Sequence, residues 1–166
     1  MACRGVFFAL NSAQNAQLLG LSTGADRLKY IQEDIESAWD QAHILETDKA
    51  WDAIHRCLTD GTLSVTPSAD PLSKLVLGGK QLYTDTQSYI INFIEHSELG
   101  DISAALKKVT KEWMKKRYDQ RKNSDYPQEF ISEQDWVYTW DWFSGIPEFI
   151  ARADREGRSV IFTVDQ

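Results

Sequence analysis

The sequence predicts an α+β fold, mostly helical, with a small sheet that holds both chain ends. Short β-prone runs stand near each terminus, at Arg4 to Leu10 and at Ser159 to Val164. Between them, apolar residues recur at spacings of three and four, and helix caps and glycine stops punctuate the pattern. The 166 residues suit one domain over 1–166, with a core large enough to need neither disulfide nor metal.

Taken in order, Arg4 to Leu10 is a strand that stops at Asn11-Ser12, where a helix N-cap begins Ser12 to Leu19. Gly20 ends that helix. Leu28, Ile31, Ile35, Ala38 and Ala42 define a helical stripe over Ala25 to Ala42. Thr47 offers an N-cap for a third helix that stops at Asp60-Gly61. Gly61 to Asp70 is a loop of Thr, Ser and Pro, and Leu72 to Leu77 is a short helical turn or strand before Gly78-Gly79. Tyr89 to Ile94 is a second strand, and helices cover Asp101 to Val109 and Lys111 to Tyr118. Ser132 caps a long C-terminal helix with acids in its first turn. Gly145 and Pro147 break it into a kink or two abutting helices, because a proline inside a helix costs about 3 kcal/mol. Gly157 ends it before the third strand.

Composition narrows the function. A net charge of −7 argues against general nucleic-acid binding, which needs a basic surface. No run reaches the roughly 20 apolar residues of a membrane span or the core of a signal peptide, so the expectation is a cytoplasmic protein away from membranes. Cys3 and Cys57 lie far apart and read as buried free thiols. The histidines His43, His55 and His96 show no metal-ligand spacing, so neither a metal site nor a cofactor is expected. Nucleophile motifs are absent as well, and Gly78-Gly79-Lys80 lacks the preceding glycine of a P-loop.

The run Leu45-Glu-Thr-Asp-Lys-Ala-Trp-Asp-Ala-Ile-His-Arg-Cys-Leu-Thr-Asp-Gly61 resembles the D-K-x-W-x-x-[IL]-H signature of the YfbM-like family of bacterial proteins. Gly5-Val-Phe-Phe-Ala-Leu10, the Asp70-Pro-Leu-Ser run to Gly79 and Tyr126-Pro127 are similar to family segments in the same order. Two features depart from it: Gln128 stands where the family often has glycine, and residues 136–143 are unusually aromatic. The resemblance implies a single α+β domain and supplies no activity. Some relatives are coded near bacterial toxin systems, and so it also implies an immunity-type role.

Three constellations are candidate sites. In the expected third helix, Asp48, Trp51 and His55 fall on one face, at i, i+3 and i+7. His55 is suited to moving a proton, Trp51 to stacking and Asp48 to binding a cation, with Tyr126 as a further wall. Asp48 and His55 stand about 10 Å apart on such a helix, too far for a direct pair. The structural alternative makes Trp51 and His55 core residues. The second constellation is basic: eight cationic residues against two acidic ones give 107–122 a net +6, with Lys108, Lys111, Lys115 and Arg117 as a surface for an acidic partner or phosphate. Its alternative is a solvated helix face. The third is aromatic. Trp136, Tyr138, Trp140 and Trp142 spread around a helix at 200° per step, so some of them face outward and anchor an interface unless loops cover them.

The residues therefore favour a protein-binding module, which the family resemblance makes an immunity-type one, monomer or homodimer, that meets its partner through the aromatic C-terminal helix. The alternative is a small-molecule binder or metal-independent enzyme with a cleft near Trp51 and His55.

Overall fold

Five antiparallel strands form one sheet in the order β2-β1-β5-β4-β3, in a computed structural model that describes residues 3–85, 88–120 and 131–165. The strands are β1 (Arg4–Leu10), β2 (Ile44–Asp48), β3 (Lys80–Asp85), β4 (Tyr89–Ile94) and β5 (Ser159–Asp165). The three central strands are the near-continuous apolar runs of the sequence, and they are buried on both faces. Alternate residues divide between two cores. Phe7, Ala9, Ile90, Ile94, Val160, Phe162 and Val164 face one, and Val6, Phe8, Leu10, Ile91, Phe93 and Ile161 face the other.

The second core is covered by α1 (Ser12–Gly20) and α2 (Gly24–Tyr30), the latter continuing as a π-helical turn over Ile31–Glu36. Leu18, Tyr30, Ile31 and Ile35 seal it. Glu36, at the end of that turn, accepts a hydrogen bond from the hydroxyl of Tyr89 on β4. The first core lies beneath α3 (Trp51–Leu58), α4 (Pro71–Ser73) with its π-helical turn Lys74–Gly78, α5 (His96–Leu106), α6 (Lys111–Gln120), α7 (Glu133–Ser144) and α8 (Ile146–Arg155).

The α+β class, the two terminal strands and the break at Gly145 are all found. Ser132 caps α7 by accepting from the Asp135 amide, and Gly157 takes the left-handed φ of +69° that ends α8.

Two strands go beyond the expectation, and both are edges. β3 is polar and alternating, Lys-Gln-Leu-Tyr-Thr-Asp, with Leu82 alone fully buried. β2 replaces the start expected for the third helix. The helical stripe from Ala25 does not reach Ala42, because Trp39 turns at φ +42° and the chain reverses through an Asp40–His43 turn. That reversal lets Ile44–Asp48 pair with the open edge of β1. Asp48 then takes φ +44°, and Ala50 N–H donates to the Thr47 carbonyl, so the helix starts only at Trp51. Asp48 therefore sits at the end of a strand, off the face shared by Trp51 and His55.

Candidate functional site

Helix α3 is buried along nearly its whole length, from Trp51 to Leu58, with Asp52 alone half-exposed. Trp51 is a structural anchor, its indole N–H donating to the Cys3 carbonyl at 3.1 Å and its ring tilted 6.4 Å from Phe162. The carboxyl end of the helix concentrates unsatisfied carbonyls, which one arginine answers while another braces the turn that follows. Arg56 is buried, with its Nε on Asp52 at 2.6 Å and a terminal nitrogen on the Gly61 carbonyl at 3.2 Å. Arg117 reaches in from α6: its Nε donates to the Cys57 carbonyl at 2.6 Å, a terminal nitrogen donates to the Thr59 carbonyl, and its plane lies 4.6 Å over the Trp113 ring.

His55 is 2% exposed, and its Nδ1 has no hydrogen-bond partner in the protein. Burial, and then the neighbouring Arg56 charge, lowers its pKa to about 4 against the pull of a backbone hydrogen bond with Ser64 and the Asp60 charge. The ring is neutral at pH 7. The Oγ1 of Thr59, one turn on, is likewise buried and unpartnered. An unsatisfied buried polar atom costs about 1–3 kcal/mol, so two in one wall need a reason.

Both side chains line a cleft of about 520 Å³ between the end of α3, the 62–70 segment and the turn at Gly78. Hydroxyls dominate its wall: Thr59, Thr62, Ser64, Thr66, Ser68 and Ser73. Gly78 is required here, because a Cβ would lie 2.4 Å from the Ser73 carbonyl oxygen. Gly79 is held just as closely, its N–H donating to the buried side chain of Asn92 at 2.8 Å. Among the described residues no carboxylate is hydrogen-bonded to His55. Asp60 acts on the ring only through its charge, and its Oδ1 accepts from the Thr62 amide and hydroxyl at 3.0 and 2.7 Å. Among the described residues no group of three or more His, Cys, Asp or Glu side chains is placed to hold a metal ion.

The basic stretch divides. Lys108 and Lys111 are exposed, Lys111 lying 5.8 Å over the Trp140 ring. Lys115 pairs with Asp119 at 2.7 Å and Glu133 at 3.8 Å over the Tyr118 and Trp136 rings. Arg117 belongs to the α3 terminus rather than to an open basic surface, because its guanidinium is committed to the two carbonyls there. Tyr126 lies outside the described residues.

The aromatic helix α7 also divides. Trp136 is buried against Tyr118 at 5.3 Å and Trp140 at 6.0 Å, and half-buried Trp140 packs on Phe143. Tyr138 and Trp142 face the other way, toward β2, their rings 6.2 Å apart edge to face. Half-buried Trp142 shares a groove of about 450 Å³ with Trp39, Ile44, Leu45, Glu46 and Asp141. Trp39 is 40% exposed and belongs to none of the three constellations marked by the sequence. Eleven residues after Leu28, it falls about 20° from that residue on a helix, so in the sequence it reads as an extension of the apolar stripe rather than as a surface residue.

Residues 1–163 match the domain of unknown function DUF1877. The chain belongs to this family. Among solved structures it is similar to the protein of unknown function YfbM from Escherichia coli, at 22% identity and a TM-score of 0.65. That alignment covers 97% of this chain and 99% of the YfbM chain. The likeness to YfbM establishes the fold, and the family carries no assigned activity. No curated protein matches the sequence. No helix among the described residues is long and apolar enough to cross a membrane.

Proposed function

We propose that this DUF1877 protein is a cytoplasmic bacterial protein-interaction module whose groove between α7 and β2 takes an extended, Lys- or Arg-bearing segment of a basic partner. The observation that carries the reading is the placing of exposed Trp39 and half-buried Trp142 in one groove with two carboxylates, Glu46 and Asp141. Neither carboxylate forms an ion pair among the described residues. Aromatic faces attract cations and cover their alkyl stems, and the carboxylates supply the complementary charge. β2 is an edge strand, a template for main-chain pairing with an extended peptide. An immunity-type role, with a basic toxin as partner, is one form of this reading, and the net charge of −7 suits it.

Selection of short random peptides on the immobilised chain tests the proposal, with a Trp39→Ala/Trp142→Ala variant as the counter-target. Enrichment of Lys- or Arg-bearing peptides that no longer bind the variant supports it. Enrichment of acidic or uncharged peptides, or equal capture by the variant, overturns it. So does concentration-dependent dimerisation abolished by Glu46→Lys, because the groove would then be filled by a second copy.

A further inference from the structure

We propose that the cleft at the carboxyl end of α3 binds a small neutral polyol or sugar, one of whose hydroxyls donates to Nδ1 of His55. His55 and Thr59, the two residues that carry the unpartnered buried atoms Nδ1 and Oγ1, both line the same cavity. An acceptor lone pair on a neutral ring calls for a donor, and a threonine hydroxyl offers both a donor and an acceptor. Ligand hydroxyls match both requirements, as well as the rotatable Ser and Thr hydroxyls around them. At about 520 Å³ the cavity falls within the usual range for small-ligand sites, ~300–1,000 Å³.

Charge and shape exclude the neighbouring ligand classes. Among the described residues two carboxylates, Asp60 and Asp70, line the cleft against one cation, Arg117, which disfavours an anion. Arg117 already donates to the Cys57 and Thr59 carbonyls, so its guanidinium is not an open phosphate clamp. Asp70 is committed to the Leu72 amide and the Ser73 hydroxyl, and Asp60 to Thr62. Among the described residues no Phe, Tyr or Trp ring lines the cavity to cage an organic cation or stack a nucleobase. What remains is hydrogen bonding to an uncharged, hydroxyl-rich molecule. This inference stands apart from the groove at Trp142, with which the cleft shares no lining residue.

Nitrogen-15 NMR titration with a panel of neutral monosaccharides and sugar alcohols tests it, with inorganic phosphate and choline as charged comparisons. The expected result is saturable shifts for at least one neutral member, confined to amides of residues 55–68 and accompanied by movement of the His55 Nδ1 resonance. His55→Phe and Thr59→Val should each weaken that binding at least tenfold. Thr59→Val provides the readout if His55→Phe does not fold. Shifts that grow linearly for every neutral member, saturable binding by phosphate or choline alone, or unchanged affinity in the variants would overturn the assignment. A ring nitrogen that does not respond while the amides do would overturn the role of His55.

Discussion

The hydroxyl of Tyr138 donates to the carboxylate of Asp48 at 2.7 Å, joining residues 90 positions apart. The same phenol oxygen accepts the Lys49 N–H at 3.2 Å, so one side chain ties α7 to the tight turn after β2. Burial, followed by the Asp48 hydrogen bond, pushes the Tyr138 pKa up to about 12. Asp48 holds the left-handed φ that lets the chain leave the strand and enter α3. The groove wall and the edge strand are therefore fixed to each other in the free protein, which limits the ordering cost of binding there.

Replacing Tyr138 with Phe removes both hydrogen bonds while keeping the ring. The expected loss is about 1–2 kcal/mol, since the acceptor is charged but partly solvated. For a chain of this size that corresponds to a fall in Tm of roughly 3–6 °C. Differential scanning calorimetry at neutral pH reads it. A Tm equal to that of the unaltered protein would mean that the contact does not hold α7 on β2.

Acid should weaken the fold through His55. Its folded pKa of about 4 lies below the ordinary 6.5, so the unfolded chain binds the extra proton first. The neutral ring contributes its full stability above pH 6.5, and that contribution is lost as the pH falls toward 4. The shift is worth on the order of 3 kcal/mol across this window. Glu36 works in the opposite sense. Burial raises its pKa, so its contribution is present at low pH and declines as the pH rises through the folded value. Urea unfolding from pH 7 to pH 4 isolates the histidine term when the protein is compared with His55→Gln, which should be less acid-sensitive by this amount. Parallel curves would remove the role given to His55.

Arg117 and its basic neighbours should separate sharply on mutation. Arg117→Met leaves the Cys57 and Thr59 carbonyls without their donors and removes the guanidinium from Trp113. Two hydrogen bonds and a stacked cation together predict a loss of about 2–4 kcal/mol. Lys108→Ala, on an exposed side chain with no ion pair among the described residues, should stay within about 0.5 kcal/mol. Chemical denaturation of both variants compares them directly, and equal effects would place Arg117 among ordinary surface cations.

This contrast shows what could be read in the sequence and what could not. The central strands were legible because burial on both faces demands nearly continuous apolar residues, as in Tyr89–Ile94, where Asn92 alone breaks the run. The edge strands β2 and β3 were not, because an edge tolerates polar alternation and pairs only where the tertiary fold offers a neighbour. The same cause misplaced Asp48: helical spacing from Thr47 fits as well as a strand until β1 competes for residues 44–48. His55 was legible as a candidate, and its cleft took shape only from the distant segments 62–73 and Arg117. A run of lysines and arginines likewise reads as surface, and nothing local reveals that Arg117 turns inward to carbonyls 60 and 58 residues away.

The tryptophans of α7 give the sharpest division between stability and binding. Trp136 is 3% exposed and packs on Tyr118 and Trp140, so Trp136→Ala opens a cavity in the first core. The expected cost is about 3–5 kcal/mol, read by denaturation. Trp140 lies between that core and Lys111, so Trp140→Ala should cost less stability and leave peptide capture unchanged. Trp142 packs on one ring and lines the groove with Trp39. Trp142→Ala should therefore lose about 1 kcal/mol of stability but 2 kcal/mol or more of binding to a captured basic peptide, the range of an interface hot spot. Isothermal titration with one such peptide across the three variants distinguishes them. If Trp140→Ala weakened binding as much as Trp142→Ala, the binding surface would lie on the Lys111 side of α7, away from β2.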